Sequence, residues 1–207
     1  MDNSSKWNSI WKFGTFEKKY PDKEIQDFEK FHLPKKNKKN FKILDIGFGN
    51  GVHTNFLSKK GFSCYGLETS DFLIKKFKNK KNFIVKKGSF IKLPFKNNFF
   101  NSIICNGVMY YDKKSNVKKG FEEIYKKLKK GGVARIYMLS TNDYKYKKKI
   151  NYELNNWSLK KLKVNFFSYY ECKSLTKKFT KVFFGAHEYN FINYREKHSY
   201  WVLTCYK

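Results

Sequence analysis

Three glycines alternate with other residues in Ile43-Leu-Asp-Ile-Gly-Phe-Gly-Asn-Gly51, directly after a short apolar run that ends in an acidic side chain. Glycine lets a backbone turn sharply and lie flush against a ligand, because no side chain holds the ligand away. The apolar run before the loop and Val52-His-Thr-Asn-Phe-Leu57 after it read as strand, turn and helix, so the loop faces a helix N-terminus where unpaired N–H groups collect. Spacing narrows the ligand. A dinucleotide fingerprint needs its third glycine five positions after the first, and Val52 stands there. Asp45, two residues ahead of Gly47, would repel a pyrophosphate but could hold a cationic ligand directly or through water. Farther on, Phe62-Ser-Cys-Tyr-Gly-Leu67 is a second apolar strand ending in Glu68, at about the interval where an acidic side chain accepts both hydroxyls of a ribose.

This pattern resembles the class I S-adenosylmethionine-dependent methyltransferases, in which the glycine loop passes under the methionine part and the carboxylate after the second strand grips the ribose. Gly88-Ser-Phe-Ile-Lys-Leu-Pro-Phe95, Phe99-Phe-Asn-Ser-Ile-Ile-Cys-Asn-Gly107 and Leu128-Lys-Lys-Gly-Gly132 follow that family's order and intervals. The resemblance is strong from Phe41 to Ser140 and holds in outline elsewhere. It implies S-adenosylmethionine as cofactor, with no metal, held by Asp45, the loop residues Gly47, Phe48, Gly49 and Gly51, then Glu68, Thr69, Ser89, Phe90 and Asn106. Two positions depart from the family. Ser89 replaces an Asp that accepts a hydrogen bond from the adenine amino group, a bond a hydroxyl accepts more weakly. Asn101 replaces an Asp at the start of the fourth strand, keeping the acceptor without the charge.

The elements that must position these residues alternate. Strands near 41–46, 62–67, 82–86, 101–106 and 133–139, with helices between most of them, predict an α/β fold whose parallel sheet has helices on both faces. In helix 116–130, Val117, Phe121, Ile124, Tyr125 and Leu128 line one face, and Gly131-Gly132 supplies a left-handed end. Ser168-x-x-Glu171 is a capping box that opens a helix through Phe179. Two aromatic, β-branched runs, Lys181 to Asn190 and His198 to Tyr206, then read as a hairpin. The resemblance implies a Rossmann-like, mostly parallel seven-stranded sheet of order 3-2-1-4-5-7-6, closed by that hairpin. Ahead of it, Trp7, Ile10, Trp11, Phe13 and Phe16 and then Ile25, Phe28 and Phe31 suit two short amphipathic helices separated by Tyr20-Pro21. On the family pattern residues 1–40 form a helical lid bearing Trp7, Trp11 and Tyr20 over a domain spanning 41–207, with Trp157 in the opposite wall.

In an open α/β sheet ligands lie beyond the C-terminal strand ends where strand order reverses. Methyl transfer from a sulfonium is a displacement in which orientation and exclusion of water do most of the work, and a base is needed only when the acceptor arrives protonated. His53, Tyr110, Asp143 and His187 are the candidates for that role. His53 opens the helix after the glycine loop, and His187 lies within a strand that would satisfy it structurally. His198 begins the last strand on the same sheet edge, but its neighbours Glu196 and Lys197 suggest exposure.

The chain's 207 residues fit one domain. The net charge of +28 invites a nucleic-acid reading, yet only Arg135 and Arg195 are arginines among 45 basic residues, and recognition of phosphates and bases leans on the guanidinium. Lysine excess accompanies abundant Asn, Phe, Tyr and Ile, as AT-rich coding produces. Asn106-Gly-Val-Met109 stands where a nucleic-acid methyltransferase would carry an Asn-Pro-Pro-Tyr type tetrad. A small-molecule acceptor, such as a sugar or surface-polysaccharide precursor, is therefore expected ahead of RNA or DNA, with O-methylation ahead of N-methylation; a noncatalytic cofactor-binding partner is the remaining alternative. No segment approaches the roughly 18 apolar residues of a membrane span. Cys64, Cys105, Cys172 and Cys205 sit in apolar contexts as buried thiols, which suits a cytoplasmic protein.

Overall fold

A computed structural model describes residues 4–13, 17–81, 83–148, 164–191 and 195–207. Seven strands form one sheet: β1 (Lys42–Ile46), β2 (Ser63–Glu68), β3 (Ile84–Lys87), β4 (Phe100–Cys105), β5 (Leu128–Leu139), β6 (Lys181–Phe191) and β7 (Glu196–Tyr206). Their order is β3-β2-β1-β4-β5-β7-β6, the expected one. The first five run parallel, and β7 is antiparallel to both β5 and β6. Strand order reverses between β1 and β4, which pair from Ile43–Ser102 to Ile46–Cys105.

Alternation along these strands sends side chains to two cores. Leu44, Ile46, Ile103, Cys105, Ile136 and Leu203 pack on one face with Val117, Phe121 and Ile124 of helix α5 (Lys114–Lys127) and Cys172 of α7 (Tyr169–Leu175). Ile43, Ile104, Val133 and Val202 pack on the other with Ile25 and Phe28 of α2 (Lys23–His32), Leu57 of α3 (Val52–Lys59) and Leu73 and Phe77 of α4 (Asp71–Phe77). Burying a strand on both faces requires this nearly continuous apolar composition. Two further helices, α1 (Ser4–Lys12) and α6 (Tyr144–Lys147), lie near the C-terminal ends of the parallel strands.

Both N-terminal helices are clamped to the body. Arg135 of β5 lies 5.1 Å over the Phe28 ring and donates to Thr204 Oγ1 at 2.6 Å, while His32 and Tyr206 meet at 2.7 Å. Asn8 Oδ1 of α1 accepts from the Ser70 hydroxyl at 2.8 Å and the Phe72 N–H at 3.2 Å.

Several boundaries differ from expectation. Helix α5 stops at Lys127 rather than 130, because Leu128 is fully buried and pairs with Phe100 as strand, while the Lys126 and Lys127 carbonyls accept from the N–H groups of Asn98 and Phe99. Gly131 does adopt the left-handed conformation, at φ 74°, but inside β5, where the register of β4 against β5 shifts. The capping box of Ser168 and Glu171 is present, yet α7 ends at Leu175, where the Thr176 hydroxyl donates to the Cys172 carbonyl at 2.9 Å. Phe13 and Phe31, expected on inner helix faces, are exposed. All four cysteines are buried and free.

Candidate functional site

The glycine loop leaves β1 with Gly47, Gly49 and Gly51 all at positive φ, 69°, 55° and 76°, a region that glycine enters without steric cost. Gly47 N–H donates to the Leu67 carbonyl at 2.7 Å, tying the loop to the end of β2. A side chain on Gly49 would begin 2.8 Å from the Trp11 indole of α1, which lies directly against the loop.

Two buried carboxylates flank the loop. Glu68, 6% exposed, accepts from the N–H groups of Thr69 at 2.7 Å, Ser70 at 3.1 Å and Gly49 at 3.4 Å. Burial raises its pKa against the pull of those donors. Asp45, 3% exposed, accepts from Thr54 Oγ1 at 2.5 Å. Burial lifts its pKa to about 7, with Thr54 pulling down and the Glu68 charge adding to the rise. Two buried carboxylates flanking one loop, with the Glu68 charge raising the Asp45 pKa, disfavour an anionic ligand there and favour a cationic one.

A small hollow against Glu68 is lined by Ile46, Gly47, Leu67, Thr69, Gly88, Phe90 and Val108 and roofed by Trp7 and Trp11. Next to it opens a cavity of about 680 Å³ that shares Trp7, Trp11, Gly47 and Gly107 with the hollow. Tyr110, Tyr111, Tyr137, Tyr189 and Tyr200 line this cavity together with His53, His187 and His198. The rings touch in sequence: Trp7 meets Tyr111 at 5.0 Å, Tyr111 meets Tyr110 at 4.6 Å, Tyr110 meets Tyr200 at 6.3 Å, and Tyr189 stacks on Tyr200 at 6.1 Å and lies 5.1 Å from His198.

His53 Nε2 faces Asp22 and the Asn106 amide, each at 3.4 Å, and its buried Nδ1 has no hydrogen-bond partner among the described residues. Burial lowers its pKa to about 4, against Asp22 and with Lys18, so the ring is neutral at ordinary pH. For Asp22 burial pulls upward, but the hydrogen bond and charge of Lys18, the charge of His53 and the Asn106 amide outweigh it and hold the carboxyl low.

Tyr110 borders the larger cavity from a short helical turn at Met109–Tyr111, and Thr69 serves Glu68 through its backbone and hydroxyl. Phe48 is buried against Phe77 and Phe83, so its ring belongs to the core as well as to the loop. Ser89 Oγ accepts from the Ile91 N–H at 3.4 Å, and the Asn101 amide oxygen from Lys42 N–H at 3.0 Å, so both departures have local structural partners. His187 is paired closely with Glu24 of α2. Asp143 does not line the cavity. It is fully buried, caps α6 through Lys145 N–H at 2.9 Å, and accepts from Ser199 N–H and faces His198 Nδ1, both at 3.2 Å. His198 is the reverse case: expected to be exposed, it is 8% exposed and borders the cavity. Tyr137, Tyr189 and Tyr200 were also outside the expected set, although 198 and 200, like 187 and 189, carry the period of two that puts side chains on one sheet face. Trp157 lies outside the described residues.

Residues 44–136 match the methyltransferase domain family. An uncharacterized protein of Methanocaldococcus jannaschii is 36% identical over 96 residues, 46% of this chain and 40% of that protein. The chain thus spans well under two thirds of that relative's length. Among solved structures, one concerned with conversion of a disulfide bond into a thioacetal group during echinomycin biosynthesis superimposes with a TM-score of 0.72 at 13% identity, over 99% of this chain and 92% of that one. A SAM-dependent methyltransferase from Methanosarcina mazei gives 0.66 at 14% identity, over 90% and 98% of the two chains. A possible histamine N-methyltransferase from Thermotoga maritima gives 0.63 at 18% identity, over 96% and 98%. At such identities the likeness establishes the fold.

Proposed function

We propose, from the match of residues 44–136 to the methyltransferase domain family, that the chain is a class I methyltransferase and transfers a methyl group from S-adenosylmethionine to a small molecule seated in the aromatic cavity. The observation that carries this reading is the adjacency of two hollows: one against buried Glu68, the other of about 680 Å³, joined along Gly47 and Gly107. A volume of that order suits a metabolite.

The donor set suits the cofactor. Glu68 offers a charged acceptor for ribose hydroxyls and Phe90 an apolar face, while the buried Asp45 lines neither hollow and acts on the cationic methionine end only through its charge near the glycine loop. Once bound, the cofactor supplies an electrophilic methyl group. The chain's own part is to orient and to exclude water: Trp7 and Trp11 of α1 roof both hollows, which supports the lid assignment for residues 1–40 ahead of the domain 41–207. On the acceptor side, Trp and Tyr faces stack on the apolar faces of a ring compound, as a sugar unit of a surface-polysaccharide precursor would present. A hydroxyl acceptor is favoured over an amine. The four buried free thiols accord with a reducing, cytoplasmic setting. Among the described residues no helix is long and apolar enough to cross a membrane.

Calorimetric titration with S-adenosylhomocysteine tests the reading. Binding that is lost on Glu68→Ala, with no binding of nicotinamide or flavin nucleotides, is the expected result; an empty titration with the wild-type protein refutes it. Cofactor binding without turnover on any acceptor would point instead to a noncatalytic partner role.

A further inference from the structure

We propose that His198, oriented by Asp143, is the base that removes the acceptor's proton, and that the acceptor group is therefore a hydroxyl. This rests on the methyl-transfer reading above. Asp143 is fully buried and its carboxylate is committed on both oxygens: Oδ1 accepts from Lys145 N–H at 2.9 Å, while Oδ2 accepts from Ser199 N–H and faces His198 Nδ1, each at 3.2 Å. An ionised carboxylate only accepts, so a neutral His198 must carry its hydrogen on Nδ1 and its lone pair on Nε2. The ring is held edgewise by Tyr144 at 5.1 Å and at a shallow tilt of 31° by Tyr189 at 5.1 Å, and it borders the cavity at the end of the aromatic wall that starts at Trp7. Nothing so ordered surrounds the other imidazoles. His53 is buried beside Asp22 and Asn106, and the carboxylate that faces His187 Nδ1, Glu24, is 23% exposed where Asp143 is fully buried.

The reaction balances without another reagent. As the acceptor oxygen bonds to the methyl carbon, the carbon–sulfur bond breaks and its electron pair stays on sulfur, which leaves as a neutral thioether. The hydroxyl proton passes to His198 Nε2, and the imidazolium so formed, stabilised by Asp143, later returns it to water. An uncharged amine has its own lone pair and would need no such base before attack. His198 is the catalytic residue here, and Asp143 a positioning residue.

The test uses the full chain. Titration with S-adenosylhomocysteine comes first: if wild-type protein fails to bind it, the parent reading falls, whereas equal binding by wild type and His198→Gln isolates the question of the base. Nitrogen NMR of protein labelled in its histidine rings should then show His198 near neutral pH as the Nδ1–H tautomer, moving toward Nε2–H in Asp143→Asn. An Nε2–H ring in the wild type overturns the proposal. Methyl transfer is read with labelled cofactor on a panel of sugars, catechols and primary amines. With the most active hydroxyl compound, His198→Ala should lower kcat about 100-fold or more while KM changes little, and added imidazole should restore at least a tenth of the rate. An unchanged kcat, or transfer to the amines alone, refutes it.

Discussion

Replacing Glu68 by Gln should separate the folding role of this carboxylate from its ligand role, because the two effects have opposite signs. The side chain is 6% exposed, and burial raises its pKa in the fold. An acid whose folded pKa lies above its unfolded value loses stability as pH rises through that interval, since the unfolded chain releases its proton more readily. At neutral pH the ionised form thus works against the fold. Gln keeps a carbonyl oxygen for the Thr69 and Ser70 N–H groups at 2.7 and 3.1 Å and gives up only the longest contact, from Gly49 N–H at 3.4 Å. The melting temperature at pH 7.5 should therefore stay level or rise. Ligand affinity should fall, because hydrogen bonds to a charged acceptor are worth roughly 1.5–3 kcal/mol each against about 0.5–1.5 for neutral pairs. The two ranges differ by about 1–1.5 kcal/mol per bond, so for two ribose hydroxyls the loss is about 2–3 kcal/mol, or roughly 30- to 150-fold in Kd. Calorimetry with S-adenosylhomocysteine and thermal melts on the same preparations measure both. Unchanged affinity would refute the ribose role, and a melting temperature lowered by several degrees would refute the argument from burial.

Other perturbations follow from the same geometry. With its pKa raised to about 7, Asp45 should make the wild-type fold lose stability as pH climbs from about 4 toward 7; Asp45→Asn should flatten that slope in urea unfolding at pH 5 and 8, and should also weaken S-adenosylhomocysteine binding at pH 8. Gly120→Ala in α5 would gain about 1 kcal/mol of helix propensity, but its new methyl would begin 2.6 Å from Phe90 and 2.9 Å from Met109 Sδ. Overpacking costs about 1–3 kcal/mol, so urea unfolding should show a net loss, with weaker cofactor binding as Phe90 shifts. Ser168→Ala removes a capping box and should cost about 1 kcal/mol, read as a melting temperature lower by about 2–4 °C.

Local chemistry was legible where a residue's role is set by its near neighbours. The glycine loop and the capping box at Ser168 follow from short spacings, and the sheet order followed from the family resemblance those spacings supported. Gly131 shows where such reading stops. Its left-handed conformation is written in the residue type, but whether it ends a helix or bends a strand is decided by Phe100 pairing with Leu128 and by the Lys207 carbonyl, which accepts from Gly131 N–H at 2.7 Å. His198 is a second case. Glu196 and Lys197 make its surroundings look polar, while the partner that draws it inward, Asp143, is 55 residues earlier in the chain. Phe13 and Phe31 match the helical period of their neighbours and are exposed nonetheless, because the period specifies a face without specifying what covers it.

Strand direction explains why the hairpin contributes to the proposed acceptor side of the site. The parallel strands β1, β2 and β4 deliver Gly47, Glu68 and Asn106 at their C-terminal ends. Because β7 runs antiparallel to β5, the early residues of β7 reach that same edge, with Tyr200 opposite Leu139, and the late residues of β6 accompany them, with Tyr189 opposite His198. The loop after β5 turns there too, which is how Asp143 comes under His198. Residues proposed to bear on the cofactor thus come from strands whose register is fixed by burial on both faces, whereas the proposed acceptor cavity adds to Tyr110, Tyr111 and Tyr137 of the sheet's centre the far end of one hairpin and α1. A change of acceptor can be made at His187, Tyr189, His198 and Tyr200 without moving Gly47 or Glu68, since these residues share no strand with the glycine loop. Exchanging Tyr189 should accordingly alter turnover among hydroxyl compounds and leave S-adenosylhomocysteine affinity where it was; a parallel loss of that affinity would show that the two sides are coupled.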